Sequence, residues 1–410
     1  MNNSTPITAS VYSLFRILLG LYIMIHFAQL LPYAKELFSN EGLFSASLSP
    51  LLGYIPNPLE SYDSPLFIMI VLGLGVLAGF FVLLGSYDRV SSLFLILLLG
   101  WLYTRNPLIA NPSLPVVGWV LLMHMMLPRG NYGALSSKGK MHLWTEWFFP
   151  KQIWFAAWVL LSVAYSYSGY TKLMSPSWID GSAIEIVLSN PLARDHLLNN
   201  LLLSTPSFVL QILTWTIMII ELLFVLFALW EPTRKMVWMI MLLAQIGFLI
   251  SFDFADLTIP MLLFHLLTFD RNWLKKYHAK EEAILFYDGT CAFCNGMVRF
   301  AMVEDVDKKL HYAPLEGEVF REKNVPSIED ETIIIFRENQ VLYKSDAAIY
   351  TLELLGGLWW VLAKIMKVIP QSFRDFVYDG IGRIRYLLAG KIDSEGCPIL
   401  PKEYRERMLS

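Results

Sequence analysis

Two cysteines, Cys291 and Cys294, are separated by two residues and lie between an apolar run and a segment of helical periodicity. Thiols at this spacing carry out redox exchange or form half of a zinc site. Free amides and the dipole at a helix N-terminus stabilise a thiolate, so the first cysteine of such a motif can have a lowered pKa and act as the nucleophile. The second cysteine, one turn later, can resolve the mixed disulfide that results.

Three interpretations of this pair stay open: redox chemistry, metal binding and no chemistry. The strand-to-helix context favours the first. A zinc site needs two further ligands, for which only Cys397 and His311 offer themselves in the sequence. We therefore predict no metal. Cys397 is either a third redox partner or a small buried residue.

A lysine with possible chemistry, Lys172, stands at the end of the fifth apolar segment, shortly before Trp178. An amine in apolar surroundings loses its proton more readily and can act as a base. The alternative is an interfacial lysine whose stem lies along the membrane while its charge reaches the headgroups.

Other ionisable side chains lie inside apolar segments, where they are costly and often functional. Glu221 stands between two apolar runs and needs a partner or a proton. Arg16, His26, His124 and His265 are further candidates. For each, a hydrogen bond to a neighbouring helix or a position at a segment end is the alternative.

These residues belong to two parts of unlike composition. Of 410 residues, 55% are hydrophobic and 16% are charged, and the shortage of charge is concentrated before Arg271. A straight membrane span needs about 20 apolar residues, and four of the predicted spans are shorter. The eight predicted spans lie near residues 11–31, 66–85, 90–104, 114–127, 153–171, 208–230, 236–250 and 257–269.

Most lysines and arginines fall in the loops on the side of both termini, whereas the opposite loops are rich in acids. The positive-inside rule then predicts a cytoplasmic-membrane protein with both termini and the CxxC in the cytoplasm. The N-terminus does not have the pattern of a cleavable signal. No basic stripe or aromatic RNA motif is present, which argues against nucleic-acid binding.

After the last predicted span, strand and helix patterns alternate, as in an α/β domain. The CxxC joins the first strand to the first helix. Predicted strands lie at 283–287, 311–315, 332–337 and 340–344, with helices at 294–303, 346–355 and 372–388 and a further apolar stretch at 359–369.

Several motifs in this part occur in a characteristic order. They are Tyr287-Asp288-Gly289-x-Cys291-x-x-Cys294-Asn295, Tyr312-Ala313-Pro314-Leu315, Lys344-Ser345-Asp346-Ala347-Ala348, Pro370-x-x-x-Arg374-Asp375-x-x-Tyr378 and Arg383-x-Arg385-Tyr386-x-x-x-Gly390. Through them, residues 284–397 resemble the DCC family of thiol-disulfide oxidoreductases. The resemblance implies a thioredoxin-like fold with Cys291 and Cys294 as the redox pair.

A second set of motifs lies in the apolar part. They are Phe15-Arg16-Ile17-Leu18-Leu19-Gly20-Leu21, Asn40-Glu41-Gly42-Leu43, Arg105-Asn106-Pro107-x-x-Ala110-Asn111, Ser168-Gly169-x-x-Lys172-Leu173 with Trp178-x-x-Gly181, and Glu221. Through them, residues 10–275 resemble the horizontally transferred transmembrane (HTTM) domain and, more distantly, vitamin K-dependent gamma-carboxylase.

The carboxylase resemblance implies that Lys172 is a base linked to oxygenation of a reduced quinone. Two departures argue against glutamate carboxylation: Pro112 stands where the carboxylase has a histidine, and its large lumenal substrate domain has no counterpart. A site for a quinone or another apolar ligand is still expected. Its candidate substrate-binding residues are Asn111, Trp178, Glu221, Arg16 and His124.

The sequence thus predicts a multi-pass α-helical membrane bundle at 1–275 and an α/β thioredoxin-like domain at 283–410. We expect an oxidoreductase whose cytoplasmic CxxC exchanges electrons with a quinone- or lipid-like substrate held in the bundle. The alternatives are a thiol reductase tethered by an anchor or transporter-like bundle, and a non-catalytic interaction protein. Expected partners are the lipid bilayer, a thiol-disulfide partner protein or small thiol, and a quinone.

Overall fold

The structure is a computed structural model. It describes residues 7–409 except for 52, 110, 131, 138–146, 275–281, 306, 327–332, 339 and 390–404, and it describes no side chains for 386–389. Cys397, the candidate third thiol, lies outside the described residues.

The first part of the chain is helical. Its helices are α1 (Ala9–Leu30), α2 (Ala34–Phe38), α3 (Pro58–Ser61), α4 (Pro65–Leu84), α5 (Asp88–Arg105), α6 (Leu114–Met126), α7 (Lys151–Lys172), α8 (Pro176–Ile179), α9 (Ala183–Leu188), α10 (Leu197–Leu203), α11 (Ser207–Leu222), α12 (Phe224–Leu229), α13 (Glu231–Ser251) and α14 (Ala255–Thr268).

Three stretches of the described helices are long and apolar enough to cross a membrane: Ala9–Phe38, Pro65–Leu84 and Glu231–Ser251. A fourth candidate is the pair α10 and α11, which are bent by 108° at their junction. Helices α6 and α14 are apolar but shorter. These helices indicate a membrane protein with three or four candidate spans. Every predicted span coincides with helix, but the count of eight stays a prediction.

Small residues let the helices of this part approach closely, as is common where helices pack in lipid. The clearest case is α1 against α4, since a Cβ added at Gly20 would lie 2.5 Å from the backbone nitrogen of Leu83. The helical core along this contact is aromatic and aliphatic, and it includes Phe15, Leu19 and Phe27, each fully buried.

The C-terminal part combines a small sheet with helices. Its elements are β1 (Ala283–Tyr287), α15 (Ala292–Glu304), β2 (Leu310–Pro314), α16 (Glu318–Glu322), β3 (Ile334–Arg337), β4 (Gln340–Tyr343), α17 (Lys344–Leu355), α18 (Gly357–Val368) and α19 (Gln371–Ala389). The strand order is β2-β1-β3-β4. Strands β1 and β2 are parallel, and β3 is antiparallel to both β1 and β4. The predicted strands and helices are confirmed, with ends shifted by a few residues.

The two parts touch through the loop that follows α6. The hydroxyl of Tyr132 donates a hydrogen bond to the carbonyl of Gly296 on α15 over 2.8 Å. The rings of Tyr132 and Phe300 lie 5.9 Å apart. Burial raises the pKa of Tyr132 to about 12, so the phenol keeps its donor proton. Helix α15, which begins at the CxxC, therefore packs against the loop that follows α6.

Candidate functional site

The CxxC lies where the sequence predicts, between the end of β1 and the start of α15. Cys291 is the N-cap residue of α15, with an extended backbone. Its sulfur accepts a hydrogen bond from the backbone nitrogen of Cys294 over 3.2 Å. An N-cap acceptor satisfies one of the free amides of the first turn, and this position also places the sulfur in the positive field of the helix.

Side-chain hydrogen bonds hold the loop before the helix in one shape. The amide of Asn295 donates to the carbonyls of Gly289 and Cys291 over 2.8 and 3.1 Å. The carboxylate of Asp288 accepts from the backbone nitrogen and the hydroxyl of Thr290 over 2.9 and 2.8 Å. The loop that carries the thiol of Cys291 is therefore held by Asp288 just after β1 and by Asn295 on α15.

Both thiols are free and shielded from water. Cys291 is 0% exposed and Cys294 is 4% exposed. Burial raises the pKa of the Cys294 thiol, and the hydrogen bond and charge of Cys291 act in the same direction. Arg385 partly opposes this increase. At neutral pH Cys294 is accordingly a thiol rather than a thiolate.

An acid and an arginine complete the site. The ligand atoms of Asp288, Cys291 and Cys294 all lie within 4.8 Å of one another. Arg385 on α19 approaches Asp288 to 3.5 Å, and each of these two side chains is only 9% exposed. Neither residue was predicted to have a role, although both fall in the motifs that resemble the DCC family. Their separation along the chain hides the contact, whereas the motif Tyr287-Asp288-Gly289 is a usable signal for the acid.

Comparison with known proteins adds to this geometry. Residues 285–391 match the family model described as DCC1-like thiol-disulfide oxidoreductase. Bacillus subtilis (strain 168) YuxK, named as an uncharacterized protein, is 30% identical over 130 residues, which span 31% of this chain and 93% of YuxK. Through this domain, the chain belongs to the DCC1-like thiol-disulfide oxidoreductase family.

A second relative of the DCC1-like domain comes from a plant. The chloroplastic DCC family protein At1g52590 of Arabidopsis thaliana is 26% identical over 133 residues, which span 30% of this chain and 76% of that protein. No solved structure matches the chain significantly. The matches to these two relatives cover the C-terminal part, so the HTTM-like and carboxylase-like interpretation of the helical part stays a prediction.

The three grouped ligands of the DCC1-like domain could hold part of a metal site. Tetrahedral zinc would need a fourth ligand, and in the described part of the chain no further His, Cys, Asp or Glu joins the group. His311, the candidate from the sequence, instead pairs with Glu282 over 3.1 Å. The positive charge of Arg385 beside the carboxylate of Asp288 also disfavours the binding of a metal cation there. The donor set therefore fits redox chemistry better than metal binding.

Three of the predicted residues of the helical part come together at the end of α7. The amine of Lys172 donates to the hydroxyl of Ser168 over 2.8 Å and also to the carboxylate of Glu221. It lies 4.8 Å from the centre of the Trp178 ring. The side chains of the lysine and the glutamate are 16% and 10% exposed. This cluster is a shielded ion pair beside an aromatic ring.

Close helix packing makes this ion pair possible. A Cβ added at Gly169 would lie 2.2 Å from the backbone nitrogen of Leu222. Glu221 stands near the end of α11, just before the helix is interrupted at Leu223, rather than in the middle of one continuous span. This interruption could not be predicted, because both flanking segments are uniformly apolar.

His124 belongs to a different cluster, at the opposite end of α7. His124 lies 3.1 Å from the carboxylate of Asp88 through Nε2, and its Nδ1 shares a hydrogen bond with the hydroxyl of Tyr12. The ring of Tyr12 packs 5.7 Å from that of Phe149, just before α7 begins. Tyr12 on α1 and Asp88 at the start of α5 could not be predicted as partners of His124, because they are far from it along the chain.

The candidates Arg16 and Asn111 have structural contacts. Arg16 is fully buried and donates to the carbonyls of Val82 and Leu83, where it caps the end of α4. Asn111 is buried, and its side-chain oxygen accepts from the backbone nitrogen of Ser113 over 2.9 Å. This contact shapes the turn into α6. The structure thus does not bring Arg16 or Asn111 to Lys172.

Proposed function

We propose that the chain is a membrane-bound thiol-disulfide oxidoreductase in which Cys291 is the nucleophile and Cys294 is the resolving thiol. The observation that carries this proposal is the N-cap position of Cys291 in a DCC1-like domain, with its sulfur on the amide of Cys294. The strand order β2-β1-β3-β4, with the CxxC directly after β1, supports a thioredoxin-like fold for this domain.

The reaction follows from the two thiols. The thiolate of Cys291 attacks one sulfur of a substrate disulfide, and the other substrate sulfur leaves as a thiolate that takes up a proton. Cys294 then loses its proton, and its thiolate attacks the sulfur of Cys291. The second substrate thiol is released, the protein holds a disulfide, and two electrons have passed to the substrate. The same steps in reverse oxidise a substrate dithiol.

Asp288 is the proposed proton acceptor for the resolving step. Cys294 is buried and protonated, so its attack requires a base at close range. Asp288 supplies a shielded carboxylate within 4.8 Å of both sulfurs. Arg385, 3.5 Å from that carboxylate, holds it in place and lowers the cost of negative charge at the thiols.

The experiment that tests this function is the stoichiometric reaction of the full-length, pre-reduced protein with a small aromatic disulfide. We expect one equivalent of disulfide to be reduced, with loss of this reaction in Cys291→Ser. The variant Cys294→Ser should stop at a stable mixed disulfide on Cys291. Unchanged reduction by Cys291→Ser would overturn the assignment of the nucleophile.

We also propose that the helical part handles a quinone- or lipid-like substrate at the cluster of Lys172. Support comes from the assembly of Lys172, Glu221 and Trp178 in one shielded place. The amine of Lys172 forms an ion pair with the carboxylate of Glu221. To act as a base, the amine must first pass a proton to that carboxylate.

The test of this second proposal is turnover of a short-chain ubiquinone or its quinol with thiols by the protein in nanodiscs. We expect Lys172→Ala and Lys172→Arg to lose turnover while the reaction of Cys291 with a small disulfide persists, because guanidinium stays protonated. If Lys172→Arg retains full turnover, the base role is wrong. If both variants match the parent protein, the helical part is an anchor or a transporter-like module for the thiol reductase.

A further inference from the structure

Helix α19 exposes its apolar side chains instead of burying them. Phe373, Phe376, Val377, Ile381 and Ile384 are 59%, 74%, 44%, 43% and 45% exposed. Their spacing of three and four residues places them on one face of the helix. A surface helix of a soluble domain normally turns such a face to the core.

The polar face of α19 attaches the helix to its own domain. Arg374 pairs with Asp346 over 2.9 Å, and Asp379 pairs with Lys344 over 2.9 Å. The hydroxyl of Tyr378 accepts a hydrogen bond from the backbone of Ile333 over 3.0 Å. These contacts with α17 and with the residue before β3 fix the orientation of the helix. The outward position of the apolar face is therefore built into the domain.

Helix α18 extends the same apolar surface. Leu362, Ile365, Val368 and Ile369 at its C-terminal end and just beyond it are 39%, 58%, 84% and 38% exposed. Only a short connection through Pro370 separates them from α19. The exposed side chains of both helices, which we call the α18–α19 face, amount to more than single surface hydrophobics, and such a patch marks an interaction site.

The position of α18 indicates what this face meets. Helix α18 contacts the short 3-10 turn Arg271–Trp273, which closely follows α14. A Cβ added at Gly357, the first residue of α18, would lie 3.8 Å from the Cβ of Arg271. The ring of Trp273 packs 5.1 Å from that of Trp238 near the start of α13. Tryptophan and arginine at helix ends are typical of the membrane interface.

We propose that the α18–α19 face binds the surface of the same bilayer that the helical part crosses. The two helices are amphipathic, with exposed apolar side chains and with polar side chains that pair within the domain, as in a helix that lies in the plane of a membrane interface. Four of their five basic residues pair with acids of the same domain, so exposed apolar area rather than net charge favours the bilayer. The paired residues are Lys364, Lys367, Arg374 and Arg385. Since α19 also carries Arg385 to the CxxC site, the thiols are held next to the bilayer rather than out in the solvent.

The test uses the full-length protein in nanodiscs that contain anionic lipid and a lipid with a photoactivatable group on its acyl chain. After illumination, lipid adducts are located by mass spectrometry of peptides. We expect adducts on peptides that contain Phe373, Phe376 and Ile381, and none above background on the helix Glu318–Glu322 of the same domain.

Variants sharpen this test. Phe373→Ser combined with Phe376→Ser should lower the adducts on α19 by at least about fivefold, because each lost ring removes apolar area from the interface. Gln371→Ala, an exposed change on the same helix, should leave them unchanged. Adducts on α19 no more frequent than on α16, or cross-links between two copies of the chain at this face, would overturn the proposal.

Discussion

The two cysteines of the site have different surroundings, and this difference underlies the unequal roles proposed for them. Cys291 accepts an amide hydrogen bond at the start of a helix. Cys294 lies one turn deeper, where burial raises its pKa and keeps its proton in place. The proposed two-step exchange requires such a pair, in which the second thiol holds its proton until the first has reacted.

The protonated state of Cys294 gives a pH prediction. In Cys291→Ser, we expect alkylation of Cys294 at pH 7 to be at least about tenfold slower than alkylation of a cysteine in an unstructured peptide. An ordinary thiol has a pKa of about 8.5. Because burial raises the pKa of Cys294, its rate should keep rising well above pH 8.5. A rate that levels off below pH 8 would contradict the raised pKa.

The proposed base gives a second prediction at this scale. Asp288→Asn keeps a side-chain oxygen for Thr290 but removes the carboxylate. We expect release of the mixed disulfide from Cys291 to slow at least about tenfold, while its formation is little changed. Thiol release is followed by stopped-flow absorbance with a small aromatic disulfide.

The matched control is Thr290→Ala, which removes one hydrogen bond to Asp288 and leaves the carboxylate in place. We expect it to release the mixed disulfide nearly as fast as the parent protein. If Asp288→Asn and Thr290→Ala slow release equally, Asp288 only shapes the loop and another base serves Cys294.

How far the sequence predicts the site depends on how local each contact is. Only two residues separate Cys291 and Cys294, so their place at a strand-to-helix junction follows from short-range patterns. Arg385 reaches Asp288 from a distant helix, and no periodicity encodes that meeting. The contacts of His124 with Tyr12 and Asp88 likewise join residues that are far apart along the chain.

At the scale of elements, the pair α7 and α11 depends on one glycine. The backbones touch at Gly169, where a side chain has no room. We expect Gly169→Val to separate the helices, to break the contact of Lys172 with Glu221, and to cost on the order of 1–3 kcal/mol. The measurement is the midpoint of thermal unfolding in detergent.

Gly247 in α13 is a suitable control, since a Cβ there would meet nothing within 4 Å. Gly247→Ala should leave the unfolding midpoint unchanged or raise it slightly, because alanine favours a helix more than glycine does. A midpoint for Gly169→Val equal to that of Gly247→Ala would show that the close approach of α7 and α11 is not needed.

Elements follow from the sequence wherever local pattern decides them. The alternation of strands and helices after residue 283 could be predicted, because strands repeat every two residues and helices every 3.6 residues. This alternation is typical of an α/β domain. In the helical part, uniform apolarity predicts helix but conceals where a helix bends. At the interruption at Leu223, a contact from a neighbouring helix contributes, since the hydroxyl of Ser166 on α7 accepts from the backbone nitrogen of Val225. The 108° bend between α10 and α11, in contrast, falls just before Ser207, where Pro206 is a local signal.

At the scale of the whole molecule, the domain with the CxxC and the lysine cluster are associated with opposite ends of α7. Tyr132 connects the DCC1-like domain to the loop that precedes α7. Lys172 ends that helix, which has 22 residues and is about 33 Å long at 1.5 Å per residue. Because this length rules out direct transfer, the cooperation proposed above requires a mobile carrier or a conformational change.

The charge bias of the loops gives a prediction of topology. A reporter fused after Ser410 should score as cytoplasmic, and one inserted at residues 190–191 should score as external. The contact of Tyr132 with Gly296 agrees with this arrangement, since both lie on the side predicted to be cytoplasmic. An external score at Ser410 would mean an odd number of spans and an error among the short ones.

The sequence predicts which side of the membrane each loop occupies, because the lysines and arginines of a loop can be counted without knowledge of the fold. It does not predict that the DCC1-like domain contacts the loop after α6, or that the apolar face of α18 and α19 is exposed. Those features depend on contacts such as Tyr132 with Gly296 and Asp379 with Lys344, whose partners are far apart along the chain.

The most direct test of the redox assignment is the state of the two thiols in the full-length protein across a series of thiol-disulfide buffers. After each equilibration, free thiols are alkylated and the peptide that spans Cys291 and Cys294 is weighed by mass spectrometry. We expect one disulfide between Cys291 and Cys294 that forms and disappears reversibly, in a two-electron transition. Two thiols that remain separately alkylatable under mild oxidant, or zinc that stays bound and blocks them, would contradict it.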